Sequence, residues 1–464
     1  MIEIPPHTIA QLLYLVHSDP EELQEALGEL RAADIAEALR ELPPDAAAKV
    51  MASLPFDMAV QVFDEPELTR HRCAIIQRID HQKVGPLIEA MSSDQQADLF
   101  REVPPEDRPR LLSTVSEATR AALQKLLEYP PESAGGIMTT EFLSVPADWN
   151  VHQALVLIRE VAGRKETVYA IYVVDPNTQE LVHVVSLREL LTADREDNVL
   201  DVGNRRPPLT VTADIDREEA ARLISKYNLL AIPVIDDLRR MLGIVTVDDV
   251  IDALTEESTE DAQRFGGMEA LDAPYMEIGF VEMIRKRAGW LCALFLSEML
   301  TATAMQRFQG EIERAAVLAM FIPLVMSSGG NSGSQATSLV IRALALQELK
   351  LRDWWRIAVR ELPTGLVLGA ILGVIGFTRI VIWQNLHIFS YGPHYMLLAI
   401  AVGLSLVGIV AFGSLAGSML PFLLKRLGFD PASASAPFVA TLVDVTGLVI
   451  YFSVAFLVLH GTLL

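Results

Sequence analysis

The sequence predicts a multidomain fold in three parts: an α-helical superhelix, an α/β pair of repeated units and a five-helix α transmembrane bundle. Three observations carry this. Charge is split along the chain, since 10 of the 60 acidic residues but 13 of the 38 basic ones lie from Tyr275 onward. Apolar runs long enough to cross a bilayer, about 20 residues at ~1.5 Å rise each, occur in that second part. Between residues 137 and 255, strand-like and helix-like patterns alternate and recur at a period of about 60. The expected boundaries are 1–131 for the helical part, 132–255 for the α/β pair, 256–287 for an acidic linker with a connecting helix, and 288–464 for the membrane part.

A strongly acidic first part argues against nucleic acid as a partner, because phosphates attract the opposite sign. It leaves two readings, a solvated surface or a cation-binding one. Cys73 and Cys292 lie in different parts and provide neither a disulfide framework nor thiolate metal spacing. The apolar stretch Ile9–Val16 is short, interrupted by Gln11 and without a basic flank. It does not read as a signal peptide, so the acidic part is expected in the cytoplasm.

In residues 1–131, short amphipathic stretches are punctuated by prolines, in ELPPDAAAKVMASLP, EVPPEDRPRLLSTV and LLEYPPES. Proline followed by an acid is a first-turn signal and predicts short stacked helices. Asp94 and Asp98 stand four apart and share a helical face, where like charges repel unless a cation sits there.

From Ile137, VYAIYVVD and HVVSLREL, then LLAIPVID and LGIVTVDDVIDAL, each read as strand, turn, strand, helix. The units end in Ser186-Leu187-Arg188-Glu189 and Thr246-Val247-Asp248-Asp249. The hydroxyl suits a helix cap, and the acid three residues on either closes a capping box or accepts a ribose hydroxyl. This repeat resembles the tandem cystathionine-β-synthase-type (CBS) pair. The resemblance implies ATP or another adenine nucleotide as a ligand, with Arg188, Glu189 and Asp249 as candidate contacts.

The run EESTED at 256–261 is dense enough in acid to require solvation or a shared divalent cation. Tyr275 to Arg287 reads as an amphipathic helix whose Arg285-Lys286-Arg287 trio marks a membrane boundary. Five spans follow, at 288–308, 315–346, 364–386, 395–424 and 434–459. One side collects that trio with Arg342, Lys350, Arg352, Arg356, Arg360, Lys425 and Arg426; the other has Arg307 and Arg314, offset by Glu311 and Glu313. The positive-inside bias places the acidic part in the cytoplasm and the C-terminus outside. Glu298 and Arg379 are awkward in a span, Glu298 being expected to face the bundle and Arg379 to snorkel. Gly365, Gly369 and Gly373, and Gly413 with Gly417, follow the four-residue spacing of close helix packing. The second span carries SSGGNSGSQATS at its middle, which predicts a broken helix lining protein or water. In the last span Asp444 falls near mid-depth, sharing its face with Pro437, Ala440, Thr441, Gly447 and Tyr451. A lone acid there marks an ion path or, more blandly, pairs with a threonine or Arg379.

Gly329-Gly330-Asn331-Ser332-Gly333-Ser334-Gln335, Arg342-Ala343-Leu344-Ala345, Asp430-Pro431-Ala432 and the Asp444 stripe resemble the MgtE-type bacterial magnesium transporter family. The order of parts fits over essentially the whole chain. The resemblance implies a Mg2+-selective, channel-like transporter of the cell inner membrane. It also implies a homodimer with its pore between the second and fifth spans, Asp444 binding the ion with help from Ala440, Gly330 and Asn331. Gating by cytoplasmic Mg2+ would then involve Asp94, Asp98, Asp216, Glu218, Asp249, Asp252, Glu257, Glu260, Asp261 and Asp430. Two residues depart from the family's pattern: Asn228 stands where an acid is expected, and Ala436 precedes Pro437 where an Asn is common. The absence of His and Cys from the Asp444 stripe disfavours a site for softer metals. The competing reading is a membrane-tethered CBS nucleotide sensor without ion flux. An enzyme is not expected, because the sequence shows no phosphate loop, nucleophile elbow or metal-ligand spacing.

Overall fold

The computed structural model describes residues 13–15, 20–162, 167–203 and 206–462 and divides into two compact units, Met1–Thr255 and Glu256–Leu464. Most of Ile9–Val16 and the side chain of Arg314 lie outside the described residues. The first unit opens with short helices, from Pro20–Gly28 to Glu117–Leu126. Their starts follow local chemistry: Pro44 opens the helix Pro44–Ser53, where proline's missing N–H is not needed. Ile35, Leu39, Val62, Phe63, Leu99 and Phe100 belong to one continuous apolar core. Three of these helices carry the charged residues of interest: α1 (Phe56–Asp64), α2 (Thr69–Ile76) and α3 (Ser93–Glu102). The prolines of LLEYPPES start no helix. They form a turn in which the Ser133 hydroxyl donates to the Pro130 carbonyl at 2.7 Å.

The α/β pair forms two three-stranded sheets, β1 (Ser144–Pro146), β2 (Ala170–Val174) and β3 (Leu181–Ser186), then β4 (Val211–Thr212), β5 (Ala231–Ile235) and β6 (Met241–Thr246). In each, the first strand pairs parallel to the second and the second antiparallel to the third. The hairpins follow the sequence pattern; β1 and β4, three and two residues long, are too short for alternation to register. The helices are α4 (Val151–Val161), α5 (Leu187–Thr192), α6 (Arg217–Tyr227) and α7 (Val247–Phe265). The acidic run at 256–261 is helical throughout, a continuation of α7. The second repeat shares a core with the N-terminal helices through Val211, Ile224, Ile232 and Val245, while the first has its own around Val145, Ile171 and Val185.

In the second unit, α8 (Phe280–Arg307), α9 (Ile322–Ala345), α10 (Trp354–Asn385), α11 (Tyr395–Arg426) and α12 (Ala436–Leu459) are the cores of five segments long and apolar enough to cross a membrane. Two expectations are corrected here. The helix expected at Tyr275–Arg287 starts at Phe280 and runs unbroken into the first span as the first turns of α8. The second span is not broken at SSGGNSGSQATS; α9 is helical from Ile322 to Ala345, preceded by the short helix Ala316–Ala319.

The glycines of α9 serve packing. A methyl at Gly329 would collide with the Ile409 side chain, and one at Gly417 on α11 with the Gly333 carbonyl oxygen. Ser332 and Ser414 hydroxyls meet at 2.7 Å, and Thr337 donates to the Gly417 carbonyl at 2.8 Å. These polar groups are satisfied by neighbouring helices, so an intact helix remains the cheapest backbone at that depth.

Candidate cation sites

The last helix starts at a built cap. Ser435 adopts extended backbone before α12, and its Oγ accepts from the Phe438 N–H at 3.3 Å and from Trp290 Nε1 at 3.2 Å. The carbonyl of Ala436 accepts from Ser334 Oγ at 3.3 Å, so polar contact at this end comes from serines rather than an Asn. Asp444 follows two turns on and is half-buried. The structure brings Gly330 against Ala440, with a methyl at Gly330 falling 3.4 Å from the Ala440 Cβ, and seats Asp444 one turn beyond. Both residues lie inside helices, so their carbonyls accept a helical bond and keep only their second lone pair. Asn331 is exposed and its Nδ2 donates to Ser327 Oγ at 3.5 Å.

The bland partners of Asp444 are engaged elsewhere. Thr441 donates to the Pro437 carbonyl at 2.9 Å, and Tyr451 to the Leu318 carbonyl at 2.9 Å. Arg379 lies over the Trp383 ring, 4.4 Å from its centre. Asp430 pairs with Arg264, which also binds Glu260, and its second oxygen accepts from the Ala432 N–H at 2.8 Å. Glu257 acts electrostatically on the same arginine, and Asp261 is half-buried on α7.

In the first unit Asp98 acts on Asp94 within α3, as the sequence pattern expects, and further acids join them. Asp94 is 7% exposed, and Asp98 turns to Arg101 at 2.8 Å. Arg101 also donates to the carbonyls of Gly136 and Tyr129, tying α3 to the α/β pair. The carboxylates of Asp64 and Asp98 act on Asp94, and Asp94 in turn acts on Asp249 of α7. Burial pushes Asp249 up to about 8, with the negative field of Asp94 adding to it, and burial pushes Asp94 up to about 6. Asp94 Oδ1 has no hydrogen-bond partner among the described residues, while its Oδ2 accepts from Gln95. Asp249 accepts from the Thr246 N–H at 3.3 Å and from its hydroxyl.

Three participants escape sequence reasoning. Asp64 acts on Asp94 and is itself raised by burial, although the Ser92 N–H donates to both its oxygens at 3.2 Å. Burial pushes Glu102 up to about 7. Arg72, fully buried, donates to the carbonyls of Asp64 and Glu65 at 2.9 Å each. Nothing in the spacing of TRHRCAII signals that guanidinium's role. Among the described residues, no three His, Cys, Asp or Glu side chains already form a metal cluster.

Other candidates have local roles. Asp216 caps α6 by accepting from the Glu218 N–H at 2.8 Å, Glu218 pairs with Arg222, and Asp252 acts electrostatically on Glu65. Asn228 closes α6 in the left-handed conformation at φ 52°, a place where Asn is tolerated better than most residues. Glu189 closes a capping box with Ser186, whose hydroxyl holds its carboxyl below the usual range, and Arg188 beside it is exposed.

Comparison with known proteins follows the same division. Residues 322–454 match the MgtE divalent cation transporter family, 30–132 the MgtE intracellular N domain, and 134–196 and 199–256 the CBS domain. The chain is 42% identical over 373 residues to the magnesium transporter MgtE of Thermus thermophilus, covering 80% of each. It is 36% identical over 333 residues to that of Enterococcus faecalis, covering 72% of this chain and 70% of the relative. A crystal structure of the cytosolic domain of the Mg2+ channel MgtE in complex with ATP superimposes with a TM-score of 0.50 at 32% identity, covering 53% of this chain and 99% of that one.

Proposed function

Because the chain belongs to the MgtE magnesium transporter family, we propose that it carries Mg2+ across the membrane through a pore in which Asp444 binds the ion. The observation that carries the reading is Asp444 itself, an acid in the middle of an apolar spanning helix, beside the Gly330–Ala440 contact and with its bland partners engaged elsewhere. Mg2+ dehydrates reluctantly and prefers octahedral oxygen at ~2.1 Å, which suits one carboxylate per subunit acting on a largely hydrated ion. In a homodimer two copies of Asp444 oppose the charge of one ion. The N-terminal domains lie in the cytoplasm, the C-terminus outside, and the membrane is the cell inner membrane, as the positive-inside bias supports.

Regulation follows from acids outside the spanning helices. Cytoplasmic Mg2+ placed at Asp94 and Asp249 screens their repulsion, favours the compact arrangement and closes the pore; its loss opens the pore. Asp98, Asp216, Glu218, Asp252, Glu257, Glu260, Asp261 and Asp430 supply further oxygens for regulatory ions. ATP or another adenine nucleotide binds the CBS pair near Arg188, Glu189 and Asp249, a reading supported by the nucleotide-bound relative. The deciding experiment is Mg2+ flux through the purified full chain in liposomes while internal Mg2+ is varied. Asp444→Asn should abolish flux and leave assembly intact. Normal flux in that variant sinks the pore reading, and nucleotide binding without any flux in the parent would make the chain a sensor instead.

A further inference from the structure

Two contacts fix the register of α8 against α12. Near their starts, Trp290 donates to Ser435 and its ring lies 6.4 Å from that of Phe438; further along, Phe308 stacks on Phe452 at 4.9 Å. The helices therefore run parallel and stay in step. Glu298 comes eight residues after Trp290, about 12 Å along the axis, and Asp444 six after Phe438 and nine after Ser435, about 9–14 Å. The two carboxylates sit at one depth on touching helices. Glu298 is the charged group whose field acts on Asp444.

A second observation points to a ligand at this level. Thr301, one turn beyond Glu298, is 6% exposed, and its Oγ1 has no hydrogen-bond partner among the described residues. Thr303, Thr364, Thr378, Thr441 and Thr446 in the same unit each donate to the carbonyl four residues back. A buried hydroxyl without that bond lacks a partner that a passing water can supply. Glu298 is exposed on a helix with only 6% of its spanning window buried, so in lipid it requires water or a second copy of the chain beside it.

We propose that α8 contributes to the ion path: Glu298 is a second, specificity-determining acid beside Asp444, and Thr301 binds water of the hydrated cation. The proposal rests on the assignment of Asp444 to the pore. A divalent ion that keeps its water is held through that water, and a second carboxylate at the same depth favours a divalent over a monovalent ion.

The test is Mg2+ flux into liposomes by the full chain against external Mg2+, with and without competing Na+. Glu298→Gln should raise the half-saturating Mg2+ about tenfold and admit competition by Na+, while Glu298→Asp stays near the parent. Thr301→Val should shift the same quantity by a few-fold. In an Asp444→Glu background, Glu298→Gln should have an effect different from its effect alone, a coupling that a merely structural residue does not show. If Glu298→Gln fails to assemble, Thr301→Val carries the test. Unchanged half-saturation and selectivity in the variants that assemble overturn the proposal. Should Asp444→Asn abolish flux while these variants leave it unaltered, this proposal alone fails; should Asp444→Asn conduct normally, the assignment beneath it fails.

Discussion

The acids around Asp94 in the soluble unit and those around Asp430 in the membrane unit are held differently. Asp64 and Asp98 act on Asp94, and Asp94 on Asp249; Arg72 acts electrostatically on Asp64, Asp94 and Asp98, while its hydrogen bonds go to backbone carbonyls. In the membrane unit, Glu260 and Asp430 meet across the guanidinium of Arg264, so a cation of the protein itself already joins them. The first arrangement leaves Asp94 Oδ1 without a hydrogen-bond partner among the described residues, while the second closes both its carboxylates onto one guanidinium. Packing differs as well. The soluble unit interlocks leucine, isoleucine and phenylalanine, whereas α9 and α11 approach through Gly329, Gly333, Gly413 and Gly417, since lipid offers helices no hydrophobic drive to associate.

The largest effect is expected where that close approach is blocked. Gly417→Val places a side chain into the Gly333 carbonyl and should destabilise the membrane unit by about 3 kcal/mol, the upper end for overpacking. A thermal melt of the purified full chain would register it, and an unchanged midpoint would show that α9 and α11 are not held by this contact.

Next in size is Asp249→Asn. The folded carboxyl sits at about 8 against an ordinary 3.8, so the folded state holds a proton that the unfolded state has released. Without Mg2+, stability should therefore fall as pH rises from about 4 to about 8 and level off above. Under the proposed binding of Mg2+ at Asp94 and Asp249 the ion displaces that proton, so its stabilising effect should grow over the same window. Asp249→Asn should remove this component of both trends and stabilise the Mg2+-free protein by about 1–3 kcal/mol at pH 8. Melts at several pH values, with and without Mg2+, test it; an Asn variant that keeps the full Mg2+ dependence would relocate the responsive site.

The smallest effect belongs to Ser435→Ala, which deletes the cap of α12 and the acceptor for Trp290. A loss of about 1–2 kcal/mol is expected. Tryptophan emission should report the change at Trp290 and sharpen the register on which Glu298 and Asp444 are matched.

Much of the architecture is legible in residues close together in the chain. Span length and apolarity pick out the membrane helices, the hydroxyl-to-acid spacing at Ser186 and Thr246 marks helix starts, and Asp444 stands out because a lone acid is costly in an apolar helix. The Gly-rich stretch from Ser327 misleads for a physical reason. Glycine lowers helix propensity locally, but Ile409, Val439 and Val443 fill the space its missing side chains leave. The Asp94–Asp98 pair is legible because helical spacing is what a sequence displays, and Asp98 does act on Asp94. Only packing turns Asp98 toward Arg101 and sets Asp94 against Asp249. The same limit governs Glu298. The sequence by itself determined which segments are helical, which are apolar enough for lipid and where unusual charges lie, because those properties arise within a few turns of chain. The tertiary structure alone decided which of those charges meet, because a distance between helices depends on every side chain packed between them.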